Sequence, residues 1–302
     1  MSGVSPIEIS ESRNALVGEM AVRRALPRLQ RRTIGAWCFI DHFGPIDIPI
    51  DTPMDTAPHP HMGLQTVTWL IEGEVLHRDS LGSEQLIRPG QLNLMTAGRG
   101  VAHSEEGFGR ESGRAHGVQL WVAQPEATRN GPSAFEHHAS LPQVEIGTTN
   151  ATVLVGTMAD AASPARRDTE HFGAELRVRT GTTVLPIDTA AEHGVVVLEG
   201  SLLVDGRQLT PGHLAYLGVG SSELVVEARD PARALLIGGL PFESRISMFW
   251  NFVARTHAEI DQAVQLWQVG DPRFGAVNSA LPRIPSPMPP WHTAANPRSL
   301  SG

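Results

Sequence analysis

His59-Pro60-His61-Met62-Gly63-Leu64-Gln65 and, further on, Ala97-Gly98-Arg99-Gly100-Val101-Ala102-His103-Ser104-Glu105 are the two stretches on which the reading of this chain turns. Each carries a pair of metal-competent side chains at positions i and i+2, and in a strand such positions share one face. Pro60 fixes its own φ and disfavours the helical region for His59, so the segment is held extended. The imidazoles of His59 and His61 then lie roughly 6.6 Å apart along the strand. Because proline has no ladder donor, this is an edge or strand-start position. His103 and Glu105 repeat the spacing, with Ser104 pointing away. Two such strands facing each other across a small barrel bring His59, His61, His103 and Glu105 to one point. Three imidazoles and a carboxylate form a mixed nitrogen and oxygen set suited to Fe, Mn, Co, Ni, Cu or Zn.

Outward from these stretches, short β-branched runs alternate with turn residues. Trp37 to Phe43 ends at Gly44-Pro45, and Thr66 to Ile71 runs into Glu72-Gly73. Val75 to Asp79, Leu86-Ile87, Leu92 to Met95 and Val118 to Val122 follow at close intervals. Residues 46–58 contain Pro49, Pro53 and Pro58 with several aspartates and read as an irregular surface loop. With 30 glycines, 23 prolines and little helical periodicity before the C-terminal part, the fold class is all-β, a sandwich or barrel.

The pattern then returns. Val196-Val197-Leu198-Glu199-Gly200 repeats Leu70-Ile71-Glu72-Gly73, and Thr210-Pro211-Gly212-His213-Leu214 repeats Arg88-Pro89-Gly90-Gln91-Leu92. Matching order in two copies implies two similar β-domains, placed at 1–135 and 136–302. The offsets leading back from Gly73 to His59 and His61 lead from Gly200 to Pro186 and Asp188. Those leading on from Gly90 to His103 and Glu105 lead from Gly212 to Val225 and Glu227. None of the four is a histidine, so the second copy is expected to be structural and to lack the metal site.

Near the C-terminus the period changes. Thr256 with Glu259 forms a capping box, Ile260, Ala263, Val264 and Trp267 share one helical face, and Gly270 stops the helix. This predicts a helix at about 256–268 packed on a barrel, with Trp267 in the core. The proline-rich stretch through Pro282, Pro285, Pro287, Pro289 and Pro290 is a tail that either wraps the body or is disordered.

Composition narrows the function. Twenty-four basic against 32 acidic residues give a formal charge of −8, which argues against nucleic acid as the ligand. Cys38 is the only cysteine, so neither an intrachain disulfide nor a cysteine zinc site can form. No run approaches the about 18 apolar residues of a membrane helix. No secretory leader pattern is visible, and a cytoplasmic location is expected. Of the other histidines, His77 and His116 either support the metal ligands or are structural, with structural roles expected, His137-His138 reads as a loop, and His42 beside Asp41 could approach the metal cleft.

Taken together, His59-Pro60-His61 with Gly63 and Thr66-Val67-Thr68, Met95-Thr96-Ala97-Gly98-Arg99-Gly100, His103-Ser104-Glu105 and His116-Gly117-Val118-Gln119-Leu120-Trp121 resemble the pirin family, bicupins of the cupin superfamily. Asp41-His42-Phe43-Gly44-Pro45 fits its bacterial members, and Gly239-Leu240-Pro241 through Asn251-Phe252-Val253 to Trp267 resembles the family's C-terminal domain. The resemblance implies two packed cupin barrels of the jelly-roll type. It also implies one iron, usually Fe(II), in the first, held by His59, His61, His103 and Glu105. Two activities follow as expectations. The first is a quercetin 2,3-dioxygenase acting on a flavonol, with Glu105 as the base. The alternative is a metal- or redox-responsive regulator working through a protein partner that the sequence does not identify. A third reading is a metal that only staples the barrel. Gln65 stands where the family usually has glutamate, so any base role at that position is lost.

Overall fold

Two copies of one β-architecture make up the protein, as the internal repeat predicts. The computed structural model describes residues 7–49 and 54–293. In the first copy a seven-stranded sheet runs in the order Ala134–His138, Leu92–Thr96, Leu64–Glu72, Arg114–Ala123, Trp37–Asp47, Met20–Leu26 and Arg13–Val17. A four-stranded sheet ordered Met54–His61, Val101–Phe108, Val75–Asp79 and Glu84–Ile87 completes the barrel. The second copy pairs its seven strands Glu8–Glu11, His213–Leu217, Glu192–Glu199, Ala232–Gly239, His171–Val178, Thr149–Val155 and Gln143–Ile146 in that order. Its four-stranded sheet is Gly181–Pro186, Glu223–Ala228, Leu202–Val204 and Arg207–Leu209. Closing both copies this way leaves few open edges.

The edge strands are exchanged between copies. Glu8–Glu11 precedes the first barrel in sequence but pairs with His213–Leu217 of the second. Ala134–His138 closes the first sheet against Leu92–Thr96. His137-His138 is therefore strand and not loop. Phe135 packs on Met95 and Val101, and His137 Nδ1 lies 2.8 Å from Asn93 Oδ1. Residues 46–47 and 54–58 of the expected loop are likewise strand, while 50–53 lie outside the described residues. Prolines 58 and 60 fit there because Met54–His61 is an edge of its sheet, where a missing N–H costs no ladder bond.

The two seven-stranded sheets pack face to face. Trp37, Ile40, Val67, Trp69 and Leu120 from one side meet Leu154, Val196, Leu235 and Ile237 from the other in one buried cluster. Trp37 also donates its Nε1–H to Phe172 O across this interface at 2.9 Å. The barrel interiors differ. Aliphatic side chains, among them Val153, Leu176, Leu185, Val195, Leu224 and Val226, fill the second, whereas the first retains a cavity of about 570 Å³.

His42 belongs to this interface, not to the cavity. On its strand Phe39, Asp41 and Phe43 line the cavity, so strand alternation turns His42 the other way. Its Nε2 meets His116 Nε2 at 2.9 Å, Arg23 lies 3.4 Å away, and His116 Nδ1 approaches Glu199 of the second barrel at 3.3 Å. Burial, then Arg23 and His116, push His42 from 6.5 down to about 3. Burial lowers His116 to about 4, opposed by Glu72 and reinforced by Arg233, Arg23 and Arg114. A histidine that resists protonation only when folded gives full stability above the unfolded value of 6.5 and loses it as the pH falls toward the folded value. Each such residue is expected to cost about 1 kcal/mol between pH 6.5 and 5.5. Melting curves over that range should show the loss, and His42→Gln should reduce its slope; an unchanged slope would contradict the assignment.

After the second barrel the chain returns to the first. The hairpin of Ser247–Phe249 and Phe252–Ala254 reaches it through Val253 N–H, which donates to Met62 O at 3.0 Å. Gly63 permits this approach: its φ is +71°, and a Cβ there would run into the Val253 carbonyl. The helix His257–Gln268 follows, with both halves of the Thr256–Glu259 capping box formed. Ile260, Ala263 and the buried Trp267 pack on Met62 and Ala102, the outward-facing neighbours of His61 and His103. The proline-rich segment wraps the body: Ile284 N–H donates to Pro58 O at 2.9 Å and Trp267 Nε1–H to Ile284 O at 2.8 Å. Residues 294–302 lie outside the described ones. Among the described residues no helix is long and apolar enough to cross a membrane.

Candidate metal centre

The two ligand pairs lie on neighbouring strands of one sheet, not on strands facing across the barrel. Met54–His61 and Val101–Phe108 pair antiparallel, with His103 directly opposite His59. Adjacent strands are only about 4.8 Å apart, which is why the side chains converge without help from the opposite sheet. One nitrogen from each of His59, His61 and His103 lies within 4.8 Å of the others, and all three residues are buried. This is the only such group of three among the described residues. The strand pairing that should hold a counterpart, Gly181–Pro186 with Glu223–Ala228, contains no histidine.

Hydrogen bonds orient the three rings. His59 Nδ1 lies 2.9 Å from Ala57 O and His61 Nδ1 3.2 Å from Asn251 O. Carbonyls only accept, so in both rings Nδ1 carries the hydrogen and Nε2 keeps its lone pair. His61 Nε2 in turn sits 3.0 Å from His103 Nε2. The lone pair of His61 thus faces the third ring, where an ion could be shared by all three. Burial, reinforced by the neighbouring imidazoles, drives His61 and His103 well below their ordinary range and takes His59 down to about 4. All three are neutral at physiological pH, the form that binds metal. Three neutral imidazoles suit a divalent transition metal.

Glu105 is buried on the same strand and lines the same cavity, outside the histidine triplet. Between His103 and Glu105 the register against Met54–His61 slips, so Glu105 pairs with Thr56. Its Oε1 accepts from Thr68 Oγ1 at 3.3 Å, and Thr68 also reaches Gln119 Oε1 at 2.9 Å. Burial raises the Glu105 carboxyl above its ordinary range, partly offset by His77 and Thr68. The opposite wall is Phe39, Asp41, Phe43, Gln119 and Trp121, and the hairpin adds Phe249, Trp250 and Asn251. Phe39 and Trp121 stack at 4.0 Å, and Trp121 meets His61 edge-on at 5.1 Å. Arg24 binds the buried Asp41 at 2.6 Å and 2.7 Å, fixing one end of that wall.

Gln65 is fully buried on the other face of its strand, with Nε2 donating to Thr96 Oγ1 at 3.0 Å. It shares that face with Val67 and Trp69 of the barrel interface. One contribution escapes the sequence reading, and another is its less favoured alternative. Asn251 orients His61 from far along the chain. His77, for which a structural role is expected and support of the ligands is the alternative, lies against His103 at 3.4 Å and binds Asp79 at 3.1 Å. His77 and Asp79 have the same i, i+2 spacing as the ligand pairs, the signal by which they could have been found.

Known proteins share this two-domain organisation. The pirin profile matches residues 19–122 and the pirin C-terminal cupin domain profile matches residues 174–275. A Pseudomonas aeruginosa protein provisionally named quercetin 2,3-dioxygenase is 45% identical over 276 residues, covering 91% of this chain and 87% of its own. The crystal structure of a quercetin 2,3-dioxygenase from Acinetobacter baumannii superposes with a TM-score of 0.90 at 42% identity, over 94% of this chain and 96% of that one. An Escherichia coli pirin solved in complex with nickel(II) shares the fold, with a TM-score of 0.63 at 17% identity over 78% of this chain and all (100%) of the other.

Proposed function

This chain belongs to the pirin family, and on that premise we propose that it is a cytoplasmic, iron-dependent dioxygenase for flavonols of the quercetin class. The observation that carries the reading is the convergence of His59, His61 and His103 beside a cavity of about 570 Å³ walled by aromatic rings. A pocket of several hundred Å³ is what a small planar ligand needs. Functionally the chain divides near residue 135. The first unit carries the chemistry, and the second, without a metal site, returns the hairpin that completes the cavity.

In this reading His59, His61, His103 and Glu105 hold Fe(II), with Mn, Co, Ni, Cu or Zn as chemically acceptable substitutes. When bound, the metal would supply Lewis acidity toward the flavonol hydroxyl. Glu105 takes the proton from that hydroxyl: its O–H bond breaks as one forms on the carboxylate. The buried position of Glu105 raises its affinity for a proton above that of an exposed carboxylate. Thr68 steadies Oε1 during the transfer. Phe39, Trp121, Phe249 and Trp250 flank a planar ring system and keep water from the reacting atoms.

The test is reconstitution of the protein with Fe(II), followed by quercetin absorbance and oxygen uptake. Both signals should fall together. Failure to turn over quercetin with Fe, Mn, Co, Ni or Cu would transfer the assignment to the regulatory reading, in which oxidation state governs binding to a protein partner.

A further inference from the structure

Each metal-facing imidazole needs its other nitrogen protonated and engaged. Backbone carbonyls meet that need for His59 and His61. Among the described residues no carbonyl takes that role for His103; its Nδ1 meets His77 Nδ1 at 3.4 Å. A neutral imidazole nitrogen can accept only when the hydrogen is on its other nitrogen. For His77 that other nitrogen, Nε2, lies 3.1 Å from Asp79 Oδ2. The Asp79 side chain is fully buried, and its second oxygen accepts from the Leu81 and Ser83 amides, each at 2.9 Å. His77 itself stacks on Phe135 at 4.3 Å. Every part of this chain of contacts is fixed by the fold.

We propose that Asp79 and His77 form a positioning relay that sets the tautomer of His103 and so presents its Nε2 to the metal. Asp79 holds the hydrogen of His77 on Nε2. His77 Nδ1 then accepts from His103 Nδ1–H, and the His103 Nε2 lone pair is left facing His61. The inference rests on the metal-centre reading and extends it to two residues that bind no metal. Partners of this kind typically contribute 10–100-fold to metal affinity.

Asp79→Asn tests the relay with little change of shape. The carboxamide can keep its oxygen on the Leu81 and Ser83 amides while turning its NH₂ toward His77. That reverses the His77 tautomer and puts two N–H groups head to head at His103. Zn(II) affinity, measured by chelator competition, is expected to weaken about 10–100-fold, while the melting temperature of the metal-free protein stays as in wild type. A second pair of variants separates the relay from packing. His77→Phe keeps the stack on Phe135 but removes the acceptor, and should weaken Zn(II) binding. His77→Asn restores an acceptor oxygen at the Nδ1 position and should recover most of it. Equal Zn(II) affinity in wild type, Asp79→Asn and His77→Phe would overturn the relay and leave the metal centre standing. No Zn(II) binding by the wild type would overturn both.

Discussion

Replacing His103 with alanine is expected to abolish metal binding and, with it, turnover. Of the three converging histidines, His103 connects the most parts of the site. Its Nε2 lies 3.0 Å from that of His61, its backbone pairs with His59, and its far nitrogen rests on His77. Without it, two imidazoles remain on a single edge strand, and a divalent metal loses one side of its shell. The loss can be followed without substrate. A ligand at a hundred times its dissociation constant stabilises the folded state by about 2.7 kcal/mol, which raises the melting temperature on the order of 5 °C in a chain of this size. The wild type should show that rise with Fe(II) or Zn(II), and His103→Ala none. A variant that still melts higher with metal would place the ion elsewhere.

Glu105→Gln is expected to separate chemistry from binding. Glutamine is nearly isosteric and can still meet Thr68, but it cannot take a proton. General-base catalysis typically contributes 10²–10⁴-fold, so kcat for quercetin should fall by about that factor while the histidines keep some metal. KM should move little, because the aromatic walls that hold the ring system are untouched. Turnover equal to wild type would remove Glu105 from the role of base. Complete loss of metal would instead make its first task coordination.

The residues of the triad were legible because their spacing is a local property. Positions i and i+2 share a strand face whatever the tertiary fold, and Pro60 reinforces the extended backbone around His59 and His61. The duplicated architecture was legible for a similar reason, since Glu-Gly and Pro-Gly turns recur in matching order and both copies fold to the same strand order. What depends on distant parts of the chain was hidden. The pairing of His103 directly with His59 is a matter of register, so facing strands and neighbouring strands read alike in sequence. The exchange of Glu8–Glu11 and the docking of Asn251 on His61 involve segments separated by most of the chain. His42 illustrates the converse. Its neighbour Asp41 does line the cavity, but alternation places the imidazole itself between the barrels, where it carries the expected acid sensitivity of the fold.

The central claim is that one metal ion is held by the Nε2 atoms of His59, His61 and His103 together with Glu105, at the wall of the aromatic cavity. Anomalous diffraction at the iron absorption edge from crystals of the Fe(II)-loaded protein tests it most directly. A single strong peak within coordination distance of those four side chains, with the second barrel blank, is the result predicted here. A peak away from the three histidines, or one that they share without any approach of Glu105, would contradict it.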